Sequence, residues 1–213
     1  MTNVQYRFDA GRSPQTVERT HRLLTAVSEI QRNYIREGGP LSWPEQTLQA
    51  FLALTGSQYG FIGEVQYADD GSLQMQTLAI GRINRDVESP GHYESSLPEE
   101  LQFRHLSTLS HETLRTGELL ISNDPPQDSR GDGLASGHPA LTAFMGLPLR
   151  RDDQLAGMIG MVNRAGGYDP ALADWLTPLC ETCETLLAVS TTTALNNALL
   201  RAISELVFLS DSE

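Results

Sequence analysis

The strongest nucleophiles in the sequence are two cysteines, Cys180 and Cys183, which stand three positions apart. A Cys-x-x-Cys pair can serve a redox or metal site, but two ligands do not fill a tetrahedral zinc site and the chain has no second pair. On a helix the two positions share one face with Leu176, Leu179 and Leu186, which makes that face apolar. Free cysteine commonly packs as a small hydrophobic residue. The pattern favours packing, with a redox or metal role as the alternative.

A second group of candidate residues lies in a long loop predicted over 123–139, and loops of this length are often functional. Arg130, near the loop centre, could clamp an anionic ligand through two parallel hydrogen bonds. It could equally be a solvated loop charge, or be held by Asp128 or Asp132. His138 stands between a glycine and a proline, where a functional role and a structural role are both open. This loop is therefore the first place where we expect ligand contacts.

Polar residues beside the predicted strands form a third group. Asn123 and Asp124 directly follow a strand, where their side chains could cap the loop through bonds to backbone groups or contact a ligand. Asn163 and Arg164 precede two glycines, and this segment is either a tight strand-to-helix connection or part of a binding site. Phe144 is first of all a residue of the sheet core, although nearby methionines could line an adaptable cavity.

Histidines and carboxylates give no catalytic pattern. His105 and His111 fall on a helix predicted over 98–115, where a ring nitrogen could meet a ligand, but such positions are more typical of surface residues. The sequence has no G-x-S-x-G context, no phosphate-binding loop and no H-E-x-x-H. Glu99 and Glu100 fit the acidic first turn of that helix better than a catalytic pair. The residues give no basis for an enzyme.

Composition limits the classes of protein and partner. The chain has 213 residues and a mass of 23.4 kDa, which suits one sizeable domain with flanking segments. A net charge of −12 argues against a surface that tracks phosphate groups. No apolar stretch approaches the roughly 18 residues that a bilayer requires. Because the segment over 1–12 is polar and lacks a secretory signal, we predict a cytoplasmic protein that contacts neither nucleic acid nor membrane.

Hydrophobic spacing predicts an α+β domain with an antiparallel sheet, because strand pairs joined by short turns lie between helices at the two ends. Gly157 and Gly160 inside the last predicted strand indicate that another group approaches that backbone closely. The polar, β-branched run Ser190–Thr193 is a weak point in the last helix. The predicted helices cover about 14–37, 44–55, 98–115 and 169–200, and the predicted strands fall in a hairpin over 58–80, a segment over 118–122 and a hairpin over 144–162.

Three segments of the sequence resemble a GAF domain of the type found in bacterial sensor histidine kinases and related signalling proteins. They are LTGSQYGFIGEV over 54–65, ISNDPPQDSRGDGLASGHPALTAFMGLPL over 121–149 and GMIGMVNRAGGYD over 157–169. The last is similar to an N-R-P-G-G-Y-D ending, with Ala165 in place of proline. The resemblance covers about residues 17–195. A shorter segment over 202–213 resembles the opening of a PAS domain, which implies a fragment of a longer multidomain sensor.

The resemblance implies a central antiparallel sheet with the terminal helices on one face. On the other face it implies a small-molecule pocket roofed by loops over 81–98 and 123–139. The implied organisation is a disordered lead over 1–13, a GAF sensor domain with flanking helices over 14–195, and a signalling-helix continuation with the beginning of a truncated PAS domain over 196–213. The candidate ligand contacts of this pocket are Asn123, Asp124, Arg130, His138, Phe144, Asn163, Arg164 and Tyr168.

The sequence departs from the functional subtypes of that family. Asn163, Arg164 and Tyr168 are similar to the start of the cyclic-nucleotide pattern of phosphodiesterases, but no Asp-Glu pair follows. Bilin-binding domains of phytochromes need a linkage cysteine near the pocket, and free methionine sulfoxide reductases need pocket cysteines. Both cysteines here lie on the last predicted helix. The resemblance therefore leaves the ligand and any cofactor unknown.

We expect a non-enzymatic regulatory module that binds a small molecule and relays pocket occupancy through its last helix. We also expect a homodimer through the terminal helices, because Leu195, Leu199, Ile203 and Leu206 form an apolar stripe suited to a parallel coiled coil. One alternative is a structural dimerisation spacer without a ligand. Another is a GAF enzyme that reduces methionine sulfoxide, for which Cys180 would be required.

Overall fold

The structure, a computed structural model, describes residues 13–37, 43–67, 73–82, 107–131 and 141–210. Its helices are α1 (Pro14–Glu37), α2 (Trp43–Thr55), α3 (Ser107–Thr116) and α4 (Pro170–Ser210). Its strands are β1 (Tyr59–Tyr67), β2 (Leu73–Arg82), β3 (Leu120–Ser122), β4 (Phe144–Arg151) and β5 (Gln154–Val162). The predicted order of elements is confirmed over these ranges.

The described strands form one five-stranded antiparallel sheet in the order β2-β1-β5-β4-β3. Consecutive strands pair as β1 with β2 and β4 with β5, and the two pairs join where Ile62 of β1 lies opposite Ile159 of β5. A register shift between Ile62 and Gly63 leaves Leu78 of β2 without an opposite residue. Such a bulge increases the local twist of an antiparallel pair. The predicted α+β class with an antiparallel sheet is confirmed.

The sheet has two different faces, because successive side chains of a strand point to opposite sides. Ile62 and Ile159 belong to the larger core cluster, which they share with α1, α2 and α4. We term this side the helix face. Phe61 and Met158 belong to a second cluster on the other side, where Leu109 of α3 packs against them. We term that side the roof face.

Side-chain caps define the starts of the two terminal helices. The hydroxyl of Ser13 accepts a hydrogen bond from the Thr16 amide at 3.3 Å, as expected for an N-cap before a proline. The carboxylate of Asp169 accepts a hydrogen bond from the Leu172 amide at 2.7 Å. The guanidinium of Arg19 in α1 lies 4.0 Å from the ring centroid of Trp175 in α4, so the second turns of both helices lie together.

The structure differs from the sequence prediction mainly at the ends of elements. The strand predicted over 118–122 is shorter, with β3 beginning at Leu120. The last helix extends about ten residues further than predicted, to Ser210. Its weak run Ser190–Thr193 stays helical, and the hydroxyls of this run lie within hydrogen-bond distance of carbonyls about one turn earlier. Positions 83–106 and 132–140, which include most of the predicted roof loops, lie outside the described residues.

Candidate functional site

The floor of the roof face is filled by the protein's own side chains at three glycines. A Cβ at Gly160 would fall inside the ring of Phe61. One at Gly63 would collide with the thioether of Met75, and one at Gly146 would collide with the Thr113 side chain of α3. The predicted close approach at Gly160 is therefore confirmed, and its partner is an aromatic ring. Over the described residues, the roof face of the sheet is apolar and is covered at these three positions by the protein's own side chains.

Tyr168 anchors the connection between β5 and α4 to the start of β1. Its hydroxyl lies 2.8 Å from the hydroxyl oxygen of Ser57, which lies 2.7 Å from that of Thr55. Thr55 in turn donates to the Phe51 carbonyl of α2 at 2.7 Å. Burial raises the pKa of the Tyr168 phenol, so this chain of hydroxyls stays neutral at ordinary pH. A buried, satisfied chain of this kind fixes local structure.

Asn123 is tied to the same connection. Its side-chain oxygen accepts a hydrogen bond from the Tyr168 amide at 2.8 Å, and its side-chain nitrogen donates to the Tyr168 carbonyl at 2.9 Å. The side chain thus imitates one residue of an adjacent strand and joins the end of β3 to the start of α4. Asn123 therefore bonds to backbone groups of the distant Tyr168 rather than to those of its own loop.

Asn163 and Arg164 complete this network. Asn163 has a positive φ of 58°, a conformation that asparagine tolerates better than most residues. Its side-chain oxygen accepts from the amide of Thr142 at 2.8 Å. Arg164 donates through Nε to the Thr55 carbonyl at 2.9 Å and through Nη1 to the Gly167 carbonyl. The motif over 163–169 therefore ties strand ends together.

Arg130 is held inside its own loop. Its Nε and Nη2 atoms donate to the two carboxylate oxygens of Asp128 at 2.9 and 2.7 Å, and Nη2 also donates to the Ile121 carbonyl at 2.8 Å. The guanidinium holds the pKa of the Asp128 carboxyl well below its usual range. Between the two carboxylates proposed from sequence, Asp128 is the partner, while Asp132 lies outside the described residues. The anion clamp expected of Arg130 is occupied by the protein's own carboxylate.

The remaining candidates divide between the core, the surface and the undescribed part of the chain. Phe144 is fully buried on the roof face. Asp124 is exposed at the start of a 3₁₀ turn, Pro125–Gln127, and makes no side-chain capping bond there. His111 is exposed on α3. His105 and His138 lie outside the described residues, as does the predicted helix segment over 98–106.

Both cysteines pack in the helical layer. Burial raises the pKa of the Cys180 thiol to about 12 and raises that of Cys183 well above its usual value. A thiol is reactive as its thiolate, so neither group is a ready nucleophile at neutral pH. Over the described residues no cluster of three or more His, Cys, Asp or Glu side chains could hold a metal ion. The packing role predicted for the pair matches these surroundings.

A groove on the helix-face side of the molecule was not predicted from the sequence. It lies between α1 and α2, has a volume of about 780 Å³, and is lined in part by three alanines, Ala26, Ala50 and Ala53. Asn33 donates to Gln46 at 3.0 Å between the two helices. The small residues repeat at helical spacing, which is the signal a sequence reading could have used. Its charged lining residues, Arg22 and Glu29, are solvent-exposed, so the groove lacks the enclosure typical of a ligand site.

The architecture and the hydrogen-bonded strand ends define a class of protein: an α+β domain with terminal helices on one face of an antiparallel sheet. The chain belongs to the GAF family, since the family model described as GAF domain matches residues 45–188, more than half of its length. GAF domains are commonly regulatory or sensory units of signalling proteins. No curated protein sequence matches the chain. No helix among the described residues is both long and apolar enough to cross a bilayer.

Several solved structures share the fold. The GAF domain from Acinetobacter phosphoenolpyruvate-protein phosphotransferase aligns at 15% identity and a TM-score of 0.58, covering 85% of this chain and 97% of that chain. Free methionine-R-sulfoxide reductase from Neisseria meningitidis aligns at 12% identity and a TM-score of 0.58, covering 85% and 95%. The GAF domain of a Coxiella burnetii phosphoenolpyruvate-protein phosphotransferase aligns at 12% identity and a TM-score of 0.57, covering 84% and 98%. At these identities the likeness shows the fold alone.

Proposed function

We propose that the chain is a non-enzymatic sensory module of a signalling protein, which binds a small molecule above the roof face and relays its occupancy through α4. Membership of the GAF family supports a regulatory role. The apolar floor formed around Phe61, Phe144 and Met158 supports a ligand that buries a flat apolar surface. Asn123, Arg130 and Arg164 make hydrogen bonds to other groups of the protein. This argues against a ligand that is recognised by the polar or charged groups of these three side chains.

The observation that carries this proposal is that α4 is one continuous helix, which packs in the core at its start and extends beyond the core at its end. Leu176, Leu179 and Leu187 are buried against the sheet and the other helices. The same helix continues to Ser210, and Leu195 and Leu199 on this extension are more than half exposed. A helix anchored at one end and free at the other can convert a small shift in the core into a displacement at its far end.

We also propose that the exposed part of α4 pairs with the same helix of a second copy. Leu195 and Leu199 are four positions apart, and Ile203 and Leu206 continue the apolar stripe in the sequence. On α1, Val17 and Leu24 are also more than half exposed and seven positions apart. Apolar residues at these spacings are typical of helices that associate in a bundle. A homodimer would cover both stripes.

The finer assignments rest on the sequence resemblance. We propose a sensor histidine kinase or related signalling protein as the parent, with a lead over 1–13, the sensor domain over 14–195 and a signalling-helix continuation over 196–213. A PAS domain would begin within 202–213. We also propose a cytoplasmic location, with which the net charge of −12 agrees.

One observation favours a second candidate, a dimerisation spacer without a ligand. The hollows above Gly63, Gly146 and Gly160 are occupied by side chains of the protein itself. A module whose roof face is filled in this way needs no small molecule for stability. The burial of Cys180, with its raised pKa, argues against the third candidate, a thiol-dependent reductase. That candidate predicts thiol-dependent turnover which Cys180→Ser would abolish.

A ligand screen separates sensor from spacer. Native mass spectrometry and thermal shift would be measured with nucleotides, haem, bilins and aromatic acids, because a ligand that binds the folded state raises the melting temperature by mass action. Val65→Asp introduces a charge on the roof face, and Ile35→Asp introduces the same charge at a 78% exposed position of α1 as its control. The sensor predicts a shift that Val65→Asp abolishes and Ile35→Asp retains. No shift and no bound mass across the screen would favour the spacer.

A further inference from the structure

Strand β1, which pairs with the central strand β5, makes a polar contact with α4. Glu64 of β1 points to the helix face, where its Oε1 atom accepts a hydrogen bond from the Thr191 hydroxyl at 2.9 Å. Glu64 lies opposite Gly157 of β5. A methyl group of Leu187 lies 3.4 Å from the place where a Cβ at Gly157 would be, so α4 sits directly on this part of the sheet. The glycine permits the close approach that brings the two polar groups together.

The Thr191 hydroxyl has two acceptors and one proton. Its oxygen lies 2.9 Å from Glu64 Oε1 and also 2.9 Å from the Leu187 carbonyl oxygen one turn earlier in α4. A hydroxyl donates one proton, so the two bonds compete. Donation to the carboxylate ties the helix to the sheet, whereas donation to the carbonyl closes the bond within the helix.

The competition between the two acceptors matters because of where Thr191 lies on α4. Leu186 and Leu187 are buried, and Thr191 is half-buried, whereas every described side chain from Ala194 to Leu200 is exposed. The contact therefore stands where α4 leaves the core. On the other side of the same strand, Phe61 and Val65 belong to the roof-face cluster. Glu64 lies between these two residues in sequence, so a shift of β1 that changes the roof face also moves the carboxylate.

We propose that Glu64 and Thr191 form a two-state coupling between β1 and α4, in which the Thr191 proton is donated either to the carboxylate or to the Leu187 carbonyl. This proposal deepens the proposed function and rests on it, since it names where the state of the roof face reaches the exit helix. When the Thr191 hydroxyl donates to the Glu64 carboxylate, the segment over 192–200 is fastened to the sheet. When it donates to the Leu187 carbonyl, that segment moves independently of the sheet.

The chain offers a matched control for this pair. Thr192 and Thr193 make the same bond within the helix, to Ala188 and Val189 at 2.9 Å each. Thr191→Val removes the hydroxyl together with its contact to Glu64. Thr192→Val removes a hydroxyl with the same bond within the helix, so the difference between the two variants isolates the contact between strand and helix. Thr191→Ser and Glu64→Gln keep a donor and an acceptor and serve as rescue variants.

The test is a double-mutant cycle read by hydrogen exchange on the full 213-residue chain. Thr191→Val and Glu64→Ala, singly and together, would each raise the exchange rates of amides 192–200 by about tenfold, the equivalent of one charge-assisted hydrogen bond. The double variant would add little to either single variant, because both remove the same contact. Exchange in β4 and β5 would stay unchanged, which a general loss of stability would not allow. Should Glu64→Ala fail to fold, Glu64→Met takes its place in the cycle, because it also removes the carboxylate.

The outcomes are distinct. Equal exchange in Thr191→Val and Thr192→Val, or additive effects of the Glu64 and Thr191 substitutions, would overturn the coupling. Because the cycle contains no ligand, its failure is independent of the ligand screen. If the Glu64 and Thr191 substitutions are non-additive but no compound binds in the ligand screen, the contact between strand and helix is supported and only its role in sensing is contradicted.

Discussion

At the scale of single residues, the conspicuous polar positions of the sequence hold the backbone together. Asn123, Asn163 and Arg164 all bond to backbone groups of distant segments. These bonds join the end of β3 to the start of α4, and the segment after β5 to the start of β4 and the end of α2. Polar side chains that satisfy buried backbone groups contribute through the cost of leaving those groups unpaired. The same residues therefore hold in place the ends of the elements that carry the roof face.

Asn123 and its neighbour Asp124 provide a direct comparison of a bonded and an unbonded side chain. We expect Asn123→Ala to lower the free energy of unfolding by about 1–2 kcal/mol, because two hydrogen bonds to the Tyr168 backbone are lost. Asp124→Ala should change it by less than about 0.5 kcal/mol, because Asp124 is exposed and makes no capping bond. Urea unfolding measures both. Equal losses in the two variants would contradict the structural role of Asn123.

Gly160 and Phe61 should behave as one unit. Gly160→Ala places a methyl group inside the Phe61 ring, and we expect a loss of about 1–3 kcal/mol in the free energy of unfolding. In a Phe61→Ala background the same change should cost much less, since the ring that obstructs the methyl group is gone.

Gly146→Ala is the control for that pair, because the Thr113 side chain obstructs its methyl group. The cost of Gly146→Ala should therefore persist when Phe61 is replaced. Urea unfolding of the native chain and the five variants decides the matter. A Gly160→Ala cost that is the same in both backgrounds would show that Phe61 does not fill the space above that glycine.

At the scale of elements, spacing predicted the helices and strands, and their ends followed from contacts that a sequence does not display. The stop of α1 at Glu37 and the alternation through β1 came from local signals. The length of α4 did not, because the helix continues to Ser210 and the weak run Ser190–Thr193 does not interrupt it. The fold class could be predicted because it depends on the order of elements and on a family resemblance.

The candidate site was harder to predict for a physical reason. Asn, Arg and Asp side chains bind backbone groups and ligands with the same atoms, so their type and spacing cannot separate the two roles. Arg130 shows this, since its guanidinium makes the two-bond geometry expected for an anion but makes it with Asp128. Glu64 had no local signal, because its partner Thr191 is 127 positions away.

The packing of α4 predicts how stability depends on alkaline pH. Burial raises the pKa of Cys180 from an ordinary value of 9.0 to about 12, and raises those of Cys183 and Tyr168. Above about pH 9 the unfolded chain loses these protons while the folded chain keeps them, so the free energy of unfolding falls as pH rises. Below that pH these groups add no pH dependence.

Urea midpoints between about pH 8 and pH 11 measure this dependence. A Cys180→Ala, Cys183→Ala double variant should show a shallower fall, with the remaining slope due to Tyr168 and other groups. Thiolate absorbance of the folded chain provides an independent reading. Titration of the thiols near their ordinary pKa in the folded state would contradict the burial of Cys180 and Cys183.

At the scale of the whole molecule, exposed apolar stripes predict self-association. Leu195 and Leu199 on α4 are 60% and 53% exposed, an unusual fraction for two leucines one turn apart. We expect a dimer that the double variant Leu195→Glu, Leu199→Glu converts to a monomer, because four carboxylates would meet in the paired helices. Sedimentation velocity measures the change.

Leu119→Glu provides the control, since Leu119 is 39% exposed in the segment between α3 and β3, away from both terminal helices. This variant should remain a dimer. A native chain that sediments as a clean monomer at high concentration would contradict the pairing of α4. A Leu119→Glu monomer would place the contact on another surface.

The whole account depends on a connection between the roof face and the part of α4 beyond the core. The most direct test is hydrogen exchange of the full chain with and without the compound that gives the largest thermal shift in the ligand screen. The account predicts altered exchange at the roof face around Phe61 and also at amides 187–200 of α4. Changes confined to the roof face, or no compound that shifts the melting temperature, would contradict it.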